Sequence, residues 1–444
     1  MDPKRLREIA KKYYSRRDIQ LAIFNQAKSR EVIPRYFKGE HVNSESLIIG
    51  KRPDTLHYPS DLNGYIEKGA TSFHVSEEHW KDPLDIDTKL NKSQLDKIRT
   101  GWDLILDIDC KFLEYSKIAA FLLIEALYFN GIKSVGLKFS GRKGWHIGVP
   151  FEAFPEKVNN IITKEFFPEG PRLIAAYLKD MIKKGLAERI LNMSSIKDIS
   201  KSTGKPVEDL LEDGKFNPFS VLEVDTVLIS SRHLYRMAYS LHEISGLASI
   251  VIKPEQLKTF HLGWAKPERV LPKNFLPKPE KNEAKELLSQ AMDWQAKRNR
   301  EKEVEEKEVR KVNPIKISEL KEDYFPPCIK TVLQGIKNDG RKRALFILIN
   351  FFRTLGLEFE EVKKRLDEWN EKNYVPLKEG YIITQLDWFK RQGKRLPPNC
   401  NQKAYYQDIG ICIPDNLCSK IKNPVNYVYR KAGTRKRPQR KYFK

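Results

Sequence analysis

Runs and alternations of apolar residues divide the chain into two regions that can fold and a polar stretch between them. Trp102 to Asp109 reads WDLILDID, apolar except at its aspartates, as in a buried strand. Apolar residues recur at helical spacing from Tyr115 to Asn130, which predicts a helix. Ser134 to Ser140 is again strand-like, Gly141-Arg142-Lys143-Gly144 reads as a turn, and Trp145 to Val149 as the returning strand. A β-α-β-turn-β order results, with a further strand around Phe219 to Val227 able to join the same sheet. The expected class is mixed α/β.

At Leu276-Pro277-Lys278-Pro279 the pattern changes, and the residues that follow, up to Lys311, show almost no apolar face. They predict a solvated, ion-paired helix or linker. The chain is therefore expected to hold a domain at 1–275, a charged helical linker at 276–312, a second domain at 313–429 and a basic tail at 430–444. That tail carries eight basic residues and no acidic one, and is expected to be mobile and open to a phosphate backbone.

Charge adds a partner to this picture. Lys and Arg number 81 against 59 Asp and Glu among 444 residues, a formal net charge of +22, which favours a polyanion. No run approaches the roughly 20 apolar residues of a membrane span. The first residues lack the apolar core of a signal peptide, so a soluble cytoplasmic, nucleoid-associated protein is expected. All eight His lie at or before His261, whereas four of five Cys (Cys328, Cys400, Cys412, Cys418) fall in the last third. A disulfide framework does not suit so large a chain without a secretion signal, and the clustered cysteines suggest a metal centre.

Asp107 and Asp109, two apart on a strand, point to one face, and two such carboxylates repel unless a cation lies between them. Mg²⁺ or Mn²⁺ bound by carboxylates and substrate phosphates is the arrangement of polymerase sites. Asp225, at the end of the later strand, is the candidate third ligand. A surface strand end is the bland alternative, and the apolar neighbours Leu104, Ile105, Leu106 and Ile108 weigh against it. The Ser140-Gly141-Arg142-Lys143-Gly144-Trp145-His146 turn offers glycines, cations and a hydroxyl suited to a triphosphate, although Gly-Arg-Lys-Gly is also an ordinary basic hairpin. Arg236 and His242 follow soon after Asp225.

Three segments, GWDLILDIDC at 101–110, SGRKGWHI at 140–147 and DTVLISSRHLYRMAYSLHEISG at 225–246, together resemble the catalytic small subunit of the archaeal and eukaryotic DNA primases. The resemblance implies that Asp107, Asp109 and Asp225 hold two catalytic metals. It implies that Ser140, Arg142, Lys143 and His146 contact the incoming nucleotide's phosphates, with Arg236 and His242 at that nucleotide. Two positions depart from the family. Cys110 is the lone cysteine of this region, so the family's zinc knuckle cannot form, and Ile244 stands where a basic residue is usual.

In the second region the cysteine gaps are longer than those of structural zinc sites, and spacing alone leaves iron–sulfur, zinc and no metal open. The Pro-Pro-Cys segment at Cys328, the Pro-Pro-Asn-Cys segment at Cys400 and the DNLCSKIK segment at 415–422 resemble the C-terminal domain of the primase large subunit. That implies a mainly α-helical domain with a [4Fe–4S] cluster on the four cysteines. Arg341 and Arg343 open a helix in this region and are candidates for the initiating triphosphate and the template, or simply a solvated basic helix start. The whole resembles a reduced fusion in which a small subunit is joined to the C-terminal domain of a large one. This implies a monomeric synthase that makes RNA primers, or DNA primers, de novo on single-stranded DNA. Its partners would be NTPs and dNTPs, the heteroduplex product and replication proteins. The alternative is a primase-polymerase or repair polymerase that mainly extends primers.

Overall fold

The computed structural model describes residues 3–37, 47–87, 89–212, 214–225, 230–310, 321–337, 339–391 and 395–432, excepting the side chains of 3, 37, 47, 301–310 and 391. Two compact units make up the chain, Met1–Asn299 and Arg300–Lys444. Among the described residues no helix is long and apolar enough to cross a membrane.

Among the described residues the first unit contains two larger antiparallel sheets, besides three two-stranded ones. Strands β1 (Val32–Phe37), β2 (Leu47–Ile49), β3 (Ala70–Ser76) and β8 (Leu234–Arg236) form one, in the order β8-β3-β1-β2. Strands β4 (Leu104–Cys110), β5 (Gly136–Phe139), β6 (Trp145–Val149), β7 (Leu222–Val224) and β9 (Val251–Ile252) form the other, ordered β7-β4-β6-β5-β9. The helix Leu113–Phe129 leads from β4 to β5, and the hairpin return β6 fits between them, antiparallel to both. The mixed α/β class and the β-α-β-turn-β order are thus as the residue pattern predicts. The last strand is shorter than expected because Pro218-Phe219-Ser220 turns in a 3₁₀ helix, capped by the Asn217 side chain accepting from the Phe219 N–H at 3.1 Å.

The two faces of the β4 sheet differ. Leu104, Leu106, Ile108, Phe139, Trp145 and Ile147 are buried on one face, within a core that includes Leu123, Leu127, Leu178 and Ile182 of the helices Leu113–Phe129 and Glu169–Met193. The opposite face carries Asp107, His146 and Lys138 and is overlaid by Tyr235 of β8, whose ring lies 5.6 Å from Lys138 Nζ and 6.0 Å from the His146 ring. On that face Gly136 and Gly148 pair directly across the hairpin. A Cβ on Gly136 would fall 2.2 Å from the Phe275 carbonyl oxygen, and one on Gly148 2.5 Å from Leu276 Cδ2, so the paired glycines seat the Phe275–Leu276 segment.

That contact corrects the expected boundary at 275. The chain from 276 to 299 belongs to the first unit. Glu283 accepts from the backbone N–H groups of Lys133 and Ser134, the latter at 2.6 Å. Ala284, Leu287, Leu288 and Ala291, on the helix Lys285–Arg310 and just before it, are fully buried, and Trp294 Nε1 donates to Asp180 at 2.9 Å. The apolar face expected to be absent from this segment exists over these residues.

All regular elements among the described residues of the second unit are helical. Arg341–Thr354 is buried almost continuously from Ala344 to Arg353, and Phe359–Glu371 packs on it through Val362, Leu366 and Trp369. Phe325 meets Phe351 edge-on at 5.2 Å. Arg430 and Lys431, the first two residues of the expected tail, lie in the last turn of the helix Pro424–Lys431; 433–444 lie outside the described residues.

Candidate active site and cysteine cavity

Register sets the site. Asp107 of β4 pairs with His146 of β6, His146 with Lys138 of β5, and the Asp225 N–H donates to the Asp107 carbonyl at 2.9 Å. Partners directly opposite in a sheet share a face, so Asp107, His146 and Lys138 form one row, with Asp225 at its end. Lys138 Nζ lies 3.0 Å from His146 Nδ1 and donates to Ser249 Oγ at 3.0 Å, and His146 Nε2 lies 3.4 Å from Asp107 Oδ1. Asp109, two residues further along β4, is exposed and pairs with Glu223 of β7.

Burial and then the neighbouring Asp109 charge push Asp107 up to about 7, against the pull of Lys138. Lys138 and His146 are themselves driven well below their usual values, above all by burial. A bound cation between the carboxylates would relieve the repulsion. Asp107, Asp109 and Asp225 thus fit a divalent metal by donor type and by charge. Among the described residues, no three His, Cys, Asp or Glu side chains are already gathered tightly enough to hold an ion.

Beside this row the β5–β6 turn is locked against β4. The Ser140 N–H donates to the Gly144 carbonyl at 3.0 Å, the Gly144 N–H to Ser140 Oγ at 3.1 Å, and Ser116 Oγ of the following helix to the Lys143 carbonyl at 2.8 Å. A Cβ on Gly144 would lie 2.6 Å from the Ile108 carbonyl oxygen and 3.5 Å from Asp109 Oδ1, so glycine lets the turn come against the carboxylate strand. A cavity of about 720 Å³ opens there, and Asp109, Ser140, Arg142, Lys143 and His242 all line it. Burial, followed by the Arg236 charge, lowers His242 to about 3. Its Nδ1 accepts from the Ile244 N–H at 3.2 Å, so the neutral ring carries its proton on Nε2 as a donor. Ile244 acts here through its backbone, which any side chain at that position would supply.

Arg236, expected at the nucleotide, is tied to the chain beside His242. It lies on β8 in the other sheet, donating to the Leu241 carbonyl at 2.8 Å and to Glu243 Oε2 at 2.6 Å, while Ser72 Oγ donates to Glu243 Oε1 at 2.5 Å. Burial raises Glu243, but Arg236 and then His74 outweigh it and hold the carboxyl well below the usual range. Arg236 therefore fixes the Leu241–Glu243 backbone that presents His242. Sequence reasoning also missed Lys138, Lys179, Lys205, Phe219, Glu223 and Glu243. Lys138 had a signal, a cation two residues before Ser140 on the same strand face.

In the second unit Cys328, Cys400, Cys412 and Cys418, spread over ninety positions of sequence, line one cavity of about 490 Å³. The Cys400 N–H donates to the Lys422 carbonyl at 2.9 Å, the Cys412 N–H to that of Tyr406 at 3.0 Å, and the Cys418 N–H to Asp415 Oδ1 at 3.1 Å. Burial pushes Cys328 up to about 12 and Cys400 to about 11, with the neighbouring thiols adding to the effect. Four thiols around one space are a donor set suited to a metal centre. Arg341 Nη1 donates to the Val375 carbonyl, and Arg343 donates to the Ala404 carbonyl at 2.7 Å and faces Asp339 at 3.5 Å. Neither arginine lines the cysteine cavity.

No family model matches the chain. Over 167 residues, 29% of this chain and 42% of the relative, it is 25% identical to the DNA primase large subunit of Pyrococcus abyssi. The corresponding protein of Pyrococcus horikoshii is 26% identical over 176 residues, 31% of this chain and 44% of that one. An uncharacterized protein of Methanocaldococcus jannaschii is 25% identical over 152 residues, covering 34% of this chain and 32% of its own length. The chain spans less than half the length of these curated relatives. Among solved structures it is similar to the polymerase domain of Mycobacterium tuberculosis ligase D in complex with DNA, at a TM-score of 0.34 and 13% identity, over 65% of this chain and 88% of the other. A likeness so distant carries no functional argument.

Proposed function

We propose that this chain is a DNA primase, a metal-dependent nucleotidyltransferase that starts primers on single-stranded DNA. The observation that carries the reading is the single cavity in which a strand-end carboxylate, Asp109, meets the Ser140, Arg142 and Lys143 turn and the His242 donor. Asp107, Asp109 and Asp225 would hold two Mg²⁺ or Mn²⁺ ions, which when bound supply Lewis-acid stabilisation of the attacking and leaving oxygens. In the reaction a 3′-oxygen bonds to the α-phosphorus of the incoming NTP or dNTP. The bridging P–O bond to the β-phosphate breaks, pyrophosphate leaves, and the hydroxyl proton passes to solvent. Arg142 and Lys143 neutralise the phosphates, Ser140 and His242 donate to them, and His146, expected at the phosphates, lies beside Asp107 and would also orient that carboxylate.

The second unit would hold a [4Fe–4S] cluster through Cys328, Cys400, Cys412 and Cys418, and their place around one cavity supports that reading. Arg341 and Arg343 would grip the initiating triphosphate and the template. The chain would then be a fusion of small-subunit-like and large-subunit-like parts, acting as a monomer with replication proteins on single-stranded DNA. A primer-synthesis assay with labelled NTPs or dNTPs and no primer tests the proposal. De novo product absent from Asp107→Ala is expected. Product only when a primer is supplied would instead identify a primer-extending polymerase.

A further inference from the structure

The cavity beside Asp109 does not end at the carboxylates. Across from the β5–β6 turn it has a second wall, made by Lys179 of the helix Glu169–Met193, by Lys205, and by Phe219 of the 3₁₀ turn before β7. Lys179 Nζ sits 4.5 Å over the Phe219 ring, and Lys205 Nζ donates to the carbonyl of the next residue, Ser220, at 2.7 Å, so both ammonium groups stand at the 3₁₀ turn that carries the ring. Glu223 also lines this side. The turn side already has the hydroxyl, cations and imidazole that a triphosphate needs. The far wall has another composition, two separated cations and an aromatic ring, which suits a chain of phosphodiesters with a base on the aromatic.

Reaction geometry says which ligand belongs there. In an in-line displacement the attacking oxygen approaches the α-phosphorus from the side opposite the leaving pyrophosphate. With the pyrophosphate on the turn, the 3′-oxygen must come from the β7 side of the carboxylates. We infer that Lys179, Phe219 and Lys205 bind the 3′ end of the growing strand, the lysines on its last phosphodiesters and Phe219 against a terminal base. This assignment rests on the nucleotidyl-transfer reading above and names a part of that site which serves the strand alone.

The test uses the full chain carrying Lys179→Gln with Lys205→Gln, and separately Phe219→Ala, in steady-state extension of a fluorescein-labelled primer annealed to template. The KM for primer–template should rise about tenfold or more in the double variant, and about fivefold or more in Phe219→Ala, with the KM for NTP unchanged. Lys179→Arg should restore the strand KM. In equilibrium binding of the same duplex in EDTA, the double variant's salt slope should be shallower by about 1.8, as two lost phosphate contacts to a duplex require. Lys205→Gln alone, an exposed position, serves where the Lys179 exchange disturbs folding. A raised KM for NTP at unchanged strand KM, or no change in either, overturns the inference. Wild-type protein that binds the duplex through this wall in EDTA, yet incorporates no nucleotide with Mg²⁺ or Mn²⁺, overturns the nucleotidyl-transfer reading and not the wall.

Discussion

Replacing Gly144 by alanine tests whether the phosphate turn and the carboxylate strand act as one unit. The added Cβ would stand 2.6 Å from the Ile108 carbonyl oxygen and 3.1 Å from Ser140 Oγ, against 3.4 Å or more in ordinary contact. Ile108 is paired on both sides, with Val224 and Trp145, and cannot yield, so the turn must retreat by about 0.8 Å, carrying Arg142 and Lys143 with it. Overpacking of this kind costs about 1–3 kcal/mol of stability. A misplacement near 1 Å costs up to about 100-fold in rate where positioning supplies much of the catalysis. The expected result is a folded protein, shown by a melting transition lowered by several degrees, whose nucleotide incorporation at saturating NTP falls by about 10- to 100-fold. Gly380→Ala, in open space on a helix of the second unit, is the control and should leave incorporation unchanged. Full activity in Gly144→Ala would refute the idea that the turn's seat on β4 sets the phosphate position.

Four further outcomes are expected. In metal-free protein Asp107 keeps, up to about pH 7, a proton that the unfolded chain releases near pH 4, so stability should fall as pH rises between those values. Asp107→Asn should flatten that slope in urea titrations, and Mn²⁺ binding by wild type should weaken about tenfold per pH unit below 7, where a proton must be displaced. Glu243, held low in the folded state, contributes stability above about pH 4.5 that is lost as pH falls toward its folded value; Glu243→Gln should cost about 3–5 kcal/mol at pH 7 by leaving Arg236 buried and unpaired, and should reduce the acid sensitivity. Anaerobically purified protein should be brown with about four irons per chain, a property lost in Cys412→Ser and kept in Cys110→Ser, whereas stoichiometric zinc in a colourless preparation would sink the cluster. A fragment ending at 275 should be less stable than one ending at 299 by about 3–6 kcal/mol, since two fully buried leucines, Leu287 and Leu288, are lost with the segment.

What the sequence made readable was whatever a single element carries. Asp107 and Asp109 stand out because LILDID is otherwise apolar, and Gly-Arg-Lys-Gly marks its own turn. The bond between Arg236 and Glu243 was not readable in the same way, because Ser72 from a distant strand completes it and the pair looks like two ordinary surface charges. The convergence of the four cysteines was equally hidden, since no spacing in a one-dimensional list encodes the packing that gathers 328, 400, 412 and 418. The misplaced boundary had a signal: 284, 287, 288 and 291 follow helical spacing, but the two prolines before them and the long ionic run after them dominated the pattern.

The row that joins Lys138, His146 and Asp107 exists because three neighbouring strands agree on register, and this sets which changes the site can survive over evolutionary time. A one-residue insertion within β4 or β6 would turn that strand's polar groups into the apolar core and its core residues into the cleft, disrupting both at once. Point substitutions on the cleft face leave the pairing intact, and length changes in the segment between the helix Glu169–Met193 and β7 leave the row untouched. Diversification of such an enzyme is therefore channelled: strand lengths are frozen, and novelty enters through side-chain exchange and through the connection that carries Lys205 and Phe219.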